Sequence, residues 1–203
     1  MEQLKRELLT IMRDGEIDIA TFRNTSRKLN EVLVHEVATL LPTRERKITT
    51  PVTESHGPQR ACSMMLIPIL RSGLPMLHSF VEYFDDARIG VLGFVRDEHT
   101  FAASCYYNRI PEPKKDDIVV IMDPMIATGG TACGAINIVK DMGTDESRII
   151  FAAMLASPEG YNHVREQHPD VRIVIAQIDE RLNDVGYIVP GLGDFGDRYF
   201  GTL

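Results

Sequence analysis

No stretch of this chain approaches the roughly 18 consecutive apolar residues that a membrane-crossing helix needs, so a bilayer span is not expected. Cysteine is scarce: Cys62, Cys105 and Cys133 are the only three, and no two are spaced as metal ligands. An odd count, behind an N-terminus that runs straight into an amphipathic pattern, points to reduced thiols and a cytoplasmic setting. The six histidines form no metal-binding pair, and His163 and His168, five apart, do not share a helix face. Positive charge is also lacking. The formal net charge of −7 offers no basic footprint for displacing counterions from nucleic acid, which argues against a nucleic-acid partner. A small anionic substrate remains open, because a few arginines and backbone amides can make a positive site locally. Internal repeats and low-complexity tracts are absent.

What is present is an ordinary globular composition, 44% apolar and 25% charged over 203 residues, enough for one domain with extensions. Leu4, Leu8, Ile11 and Met12 recur at helical spacing until Asp14-Gly15, and a longer helix runs from Phe22 until Pro42. Residues 47–60 read as a weak edge hairpin or a loop. From Met64 the texture changes. Short apolar runs at Met64–Leu70, Ile89–Val95, Ile118–Met122, Ile149–Leu155 and Val171–Ala176 alternate with helical segments. Those helices are expected over Leu74–Phe84, over Thr131–Met142 with Gly143 closing it, and after Ser157-Pro158 as N-cap and N1. Buried strands alternating with helices predict a parallel sheet covered on both faces. Pro68 is unusual within a central strand.

One stretch carries chemistry: the buried strand to Met122, then Asp123-Pro124-Met125-Ile126-Ala127-Thr128-Gly129-Gly130-Thr131, opening a helix. Ligands of open α/β sheets bind where strands end, and a helix N-terminus supplies unpaired N–H groups and positive dipole for a phosphate. Gly129 and Gly130 permit close backbone approach, Thr128 and Thr131 add hydroxyls, and Asp123 stands where ribose hydroxyls could be held. No lysine follows the glycines, so this is not a Walker loop. The residues alone allow either a phosphate site or an ordinary strand–helix turn.

The segment resembles the phosphoribosyl-pyrophosphate (PRPP) loop of type I phosphoribosyltransferases, and its Asp123-Pro124-Met125 form resembles the uracil-specific branch, where many relatives have two adjacent acids. Pro68-Ile69-Leu70-Arg71-Ser72-Gly73 is similar to the pyrophosphate loop of that branch, with Ser72 where alanine is usual. Gly93-Phe94-Val95-Arg96-Asp97-Glu98 is similar to its second arginine segment, with Val95 in place of tyrosine. Phe101–Tyr107 matches a mobile flap. The tail from Asp179 to Thr202 resembles the family's uracil-binding hood nearly residue for residue. Within it, Gly191-Leu192-Gly193-Asp194-Phe195-Gly196 satisfies the dinucleotide fingerprint literally. Pro190 precedes it and seven residues remain, so no strand–helix–strand crossover can follow.

The resemblance implies a type I phosphoribosyltransferase fold: a central, mainly parallel sheet flanked by helices, with N-terminal helices and a C-terminal hood. It divides a single domain into a helical appendage (1–60), a PRPP-binding core (61–178) and the hood (179–203). It implies the reaction of uracil with PRPP to UMP and pyrophosphate. Arg71, Arg96, Asp123 and Asp194 are its catalytic candidates. PRPP contacts come from Arg71, Arg96, Asp194 and the run Asp123, Pro124, Met125, Ile126, Ala127, Thr128, Gly129, Gly130 and Thr131. Uracil contacts come from Ile188, Gly193, Asp194 and Phe195. Mg²⁺ is expected mainly through PRPP, GTP as an effector, and a homodimer or homotetramer as the assembly. Three other readings stay open: a nucleotide-sensing RNA-binding regulator of the same fold, an inactive relative kept for interactions, and a purine-using enzyme.

Overall fold

The structure, a computed structural model, describes residues 1–96 and 103–202; the side chains of Arg96 and Ala103 fall outside that description. Two helices come first, α1 (Glu2–Arg13) and α2 (Ile19–Thr39), the second capped by Asp18, whose carboxylate accepts from Thr21 N at 2.6 Å. Strands β1 (Thr43–Thr49) and β2 (Glu54–Arg60) form a separate antiparallel hairpin, with Thr43 opposite Arg60 and Thr49 opposite Glu54. This is more regular than the weak hairpin or loop read from the sequence, and it opens four residues earlier. Every residue of β1 is exposed, so no alternating apolar signal marked the strand.

The main body follows as β3 (Ser63–Leu70), α3 (Leu74–Tyr83), β4 (Arg88–Ile89), β5 (Val91–Arg96), β6 (Ala103–Arg109), β7 (Asp117–Met122) and β8 (Met125–Ile126). Next come α4 (Gly130–Asp141), a 3₁₀ turn at Glu146–Arg148, β9 (Ile149–Ala156), α5 (Pro158–Gln167) and β10 (Arg172–Ile178). The chain ends in the two-residue pair β11 (Arg181–Leu182) and β12 (Ile188–Val189) and the short helix α6 (Phe195–Phe200). One sheet of eight strands orders β10-β9-β7-β3-β5-β6, with β4 on β3 and β8 on β9. All pairings are parallel except that of β6 against β5.

Every residue of β7 and β9 is buried because both faces of the sheet are covered. On one face Leu66, Val120, Met122, Ile150, Ala152 and Met154 pack with Leu9, Met12, Phe22, Leu33 and Phe80 of the first three helices. On the other face Met65, Ile67, Val119, Ile121, Phe151 and Ala153 pack with Ala132, Ile136, Val139 and Val164 of α4 and α5. Strict alternation thus sends neighbouring residues of one apolar run into two different cores. Helices α1 and α2 form part of this layering and close one face of the sheet.

Pro68 fits because it is the last residue of β3 paired with β7 (opposite Met122), while pairing with β5 starts at Ile69 opposite Leu92. The expected flap at Phe101–Tyr107 begins outside the described residues. From Ala103 it is an edge strand on β5, and Tyr106 lies across Gly93, where a Cβ would stand 2.6 Å from the tyrosine ring. Among the described residues no helix is long and apolar enough to cross a membrane.

Candidate active site

The phosphate turn is built from behind. Past β7, Asp123 N donates to Ala152 O, and Pro124 O accepts from both Met154 N and Leu155 N. Strand β8 then pairs with β9, and Gly129, at φ +82°, N-caps α4 with no side chain taking part. Only glycine adopts that φ without strain, and a Cβ there would also meet Gly160 O at 2.8 Å. Ser157 braces the turn: its Oγ donates to Ala127 O at 2.6 Å and accepts from Gly160 N at 2.9 Å, while its own N donates to Ile126 O. With its carbonyls taken by β9 and α5, the turn keeps its amides. Among the described residues, no protein carbonyl accepts from the amides of Ala127, Thr128, Gly129 or Gly130. That is an anion cradle at the start of a three-turn helix.

Gly160 is therefore as important to the turn as its own glycines. A Cβ on Gly160 would lie 2.1 Å from Ala127 O, a backbone atom with nowhere to retreat. Gly160→Ala is expected to displace the turn by a fraction of an ångström to an ångström and lower kcat/KM on the order of 10²-fold. Steady-state kinetics beside a melting curve would check it; a near-normal kcat/KM in a folded variant refutes the bracing role.

The second wall is the turn after β3. Gly73 N donates to Ile69 O, and a Cβ on Gly73 would stand 2.4 Å from Met122 O, so this turn is pressed against the end of β7. The Leu70–Arg71 peptide is cis. Ser72 lines the cleft, whereas Arg71 sits at its rim, about half exposed. Its Nη2 donates to Asp197 at 2.8 Å and its guanidinium lies over the Phe200 ring at 4.9 Å. Hydrogen bonds from Thr202 and then Arg71 hold the Asp197 carboxyl below the usual carboxylate range.

The third wall is the C-terminal segment, which needs anchoring because it contains little regular structure. Asp179 supplies it. Its side chain is fully buried, accepts from Arg13 at 2.6 and 2.8 Å and from Gly191 N at 2.9 Å, and Arg13 also donates to Gly191 O at 2.6 Å. Arg198 makes a second tie. It reaches Met12 O, Leu192 O and Asp14 O, with its guanidinium 4.5 Å over the Phe22 ring. Thus the C-terminal end of α1 grips the hood. The glycine run is no dinucleotide site: β12 is a two-residue strand paired antiparallel with β11, Val189–Pro190 is cis, and α6 has six residues. Gly191, at φ +59°, leaves a Cβ only 2.1 Å from Ile188 O.

Between these walls lies a cleft of about 540 Å³, the scale of a nucleotide-sized ligand. Of the residues expected from sequence, Asp123, Met125, Ala127, Thr131, Ile188, Gly193, Asp194 and Phe195 line it. Phe94, Val185, Gly186 and Tyr187 join them. Thr128, Gly129 and Gly130 complete the turn beside the cleft. The side chains of Pro124 and Ile126 are buried beneath the turn and support it, Ile126 within the α4–α5 core. The backbone of Arg96 ends β5, and its side chain lies outside the described residues, as do Asp97 and Glu98. Sequence reasoning missed Arg13, Asp179, Arg198, Ser157 and Gly160. Only Ser157 had a local signature, as the helix cap it proves to be.

Comparison with known proteins agrees with this geometry. The model of the uracil phosphoribosyltransferase family matches residues 2–202. The chain is 42% identical over 199 residues to a uracil phosphoribosyltransferase of Roseiflexus sp. (strain RS-1), covering 98% of this chain and 95% of that protein. It is 40% identical over 195 residues to the enzyme of the same name from Campylobacter fetus, covering 96% and 92%. Among solved structures, the AQ2163 protein of Aquifex aeolicus superposes with a TM-score of 0.88 at 34% identity, over 97% of this chain and 94% of that one. A hypoxanthine-guanine phosphoribosyltransferase of Bacillus anthracis, at 11% identity and a TM-score of 0.50 over 68% and 70%, shares the fold.

Proposed function

Since the chain belongs to the uracil phosphoribosyltransferase family, we propose that its cleft joins uracil to the ribose of PRPP, giving UMP and pyrophosphate. The observation that carries this reading is the junction of an amide-lined turn with a glycine-rich hood in one cleft, Asp123 on one side and Asp194 on the other. The amides from Ala127 to Thr131 anchor the 5′-phosphate and Asp123 holds ribose hydroxyls. The remote phosphate thereby orients the reacting carbon. Arg71 and Arg96 grip the pyrophosphate with directed hydrogen bonds. As the C1–oxygen bond lengthens, positive charge grows on the ribose and negative charge on the departing group, and uracil N1 attacks from the opposite face, its proton passing to water as the C1–N1 bond forms. Ile188, Gly193, Asp194 and Phe195 form the base site. Backbone donors and acceptors there match the carbonyl–NH–carbonyl edge of uracil, and cytosine, with an amine in place of O4, leaves a buried donor unpaired.

The two cleft carboxylates suit a divalent cation held mainly by PRPP oxygens and water; no cluster of three acidic, histidine or cysteine ligands occurs among the described residues. When bound, Mg²⁺ supplies charge neutralisation at the pyrophosphate oxygens.

Pyrophosphate release tests the proposal, measured with PRPP and Mg²⁺ against uracil, cytosine, hypoxanthine or no base, each with and without GTP. Release and UMP formation with uracil alone are expected. Release with hypoxanthine instead assigns a purine substrate, and silence from folded protein turns the reading to a regulator or inactive relative. A rise on adding GTP supports GTP as effector, and a flat response removes it. Light scattering of the same sample tests the proposed homodimer or homotetramer.

A further inference from the structure

Asp197 stands one helical turn beyond Asp194, whose carboxylate caps α6 by accepting from Asp197 N at 2.8 Å. Asp194 lines the cleft, but the Asp197 side chain serves a different group. Its Oδ1 accepts from Arg71 Nη2 at 2.8 Å and from Thr202 Oγ1 at 2.6 Å. Thr202 is itself fixed, because its N donates to Asp197 O at 3.1 Å and its Oγ1 also accepts from Arg71 Nη2 at 3.3 Å. Phe200 closes the arrangement beneath the guanidinium. Toward the described residues Arg71 makes its polar contacts through Nη2, which leaves the Nη1 and Nε edge of the fork uncommitted by them.

Resting on the reading of Arg71 as a pyrophosphate ligand, we propose that Asp197, held by Thr202 and Phe200, is the positioning residue that aims Arg71 at the pyrophosphate. A half-exposed arginine samples many rotamers, and ordering it when ligand binds weakens affinity. An anchor on one nitrogen and a ring under one face remove most of that freedom before ligand arrives. The opposing effect is repulsion between the Asp197 carboxylate and the anionic ligand. It is offset where the carboxylate engages the far corner of the guanidinium. The consequence is a division of labour at the start of one six-residue helix: its N-cap, Asp194, faces the cleft, and Asp197 in its first turn governs the leaving group.

Titration calorimetry of Asp197→Asn with three probes tests this: PRPP with Mg²⁺, magnesium pyrophosphate, and UMP, which occupies the same cleft without a pyrophosphate. PRPP and pyrophosphate are expected to weaken roughly tenfold, the worth of one charge-assisted hydrogen bond, with UMP within about twofold. In an Arg71→Ala background the same substitution is expected to add nothing. Thr202→Val, at an exposed site, should show the same ligand pattern at about threefold, and it carries the test should Asp197→Asn fold poorly. Equal weakening of UMP, PRPP binding unchanged or tighter, or a further loss in the Arg71→Ala background overturns the proposal. If Arg71→Ala itself leaves PRPP and pyrophosphate binding unaltered, the assignment of Arg71 fails first, and the two failures are distinguishable.

Discussion

Arg13→Ala is expected to destabilise the fold by about 3–5 kcal/mol, the cost of leaving a buried carboxylate without its cation. Asp179 has no exposed side-chain surface, whereas Arg13 retains some, so the stranded group is the carboxylate. In a domain of this size the loss corresponds to a fall in Tm on the order of 10 °C. Part of the damage should be local, since Arg13 also holds Gly191 O and Asp179 holds Gly191 N. The KM for uracil is therefore expected to rise more than that for PRPP. Chemical denaturation beside two-substrate kinetics checks both statements. A loss below about 1 kcal/mol means that the carboxylate finds water or another partner, and the clamp is not a stabilising unit.

Arg71→Ala is expected to lower kcat/KM by roughly 10²–10³-fold, or about 3–4 kcal/mol of transition-state stabilisation. The geometry argues for a large value: Arg71 follows the end of β3 beside the cleft-lining Leu70 and Ser72, on a turn held against β7. Arg71→Lys should recover only part of the loss, because an ammonium cannot share one corner with Asp197 and offer a flat edge to a pyrophosphate at once. The same loss of about 10²–10³-fold is expected for Arg96→Ala. Near-normal kcat/KM in either alanine variant would remove that arginine from the mechanism.

Much of this was legible in the residues. The apolar runs ending at Leu70, Met122 and Leu155 announced the sheet, and Ser157-Pro158 announced a helix start, because each signal is local and strong. The strand–turn–helix at Asp123–Thr131 was readable for the same reason, although its residues alone allowed either a phosphate site or an ordinary turn. What the sequence could not show was whatever depends on distant partners. Nothing near Arg13 indicates an ion pair with residue 179, and nothing near Gly160 indicates a carbonyl 2.1 Å from its missing Cβ. The charged β1–β2 hairpin stayed faint because β1 is exposed throughout and β2 is at most half-buried. The resemblance marks the whole run from Asp123 to Thr131, but it does not say which side chains of so tight a turn lie beneath it, as those of Pro124 and Ile126 do.

The tie between α1 and the hood bears on how the site is born. Arg13 and Asp179 are 166 residues apart, so the clamp closes one of the longest loops in the chain. During synthesis at about 5–20 residues per second, the first helix is made well before the segment it must grip. The sheet and phosphate turn can assemble in that interval, but the base site cannot. Completing the cleft is thus among the last events of folding, and a chain cut short before residue 179 would hold a formed phosphate turn with no wall against which to present a base.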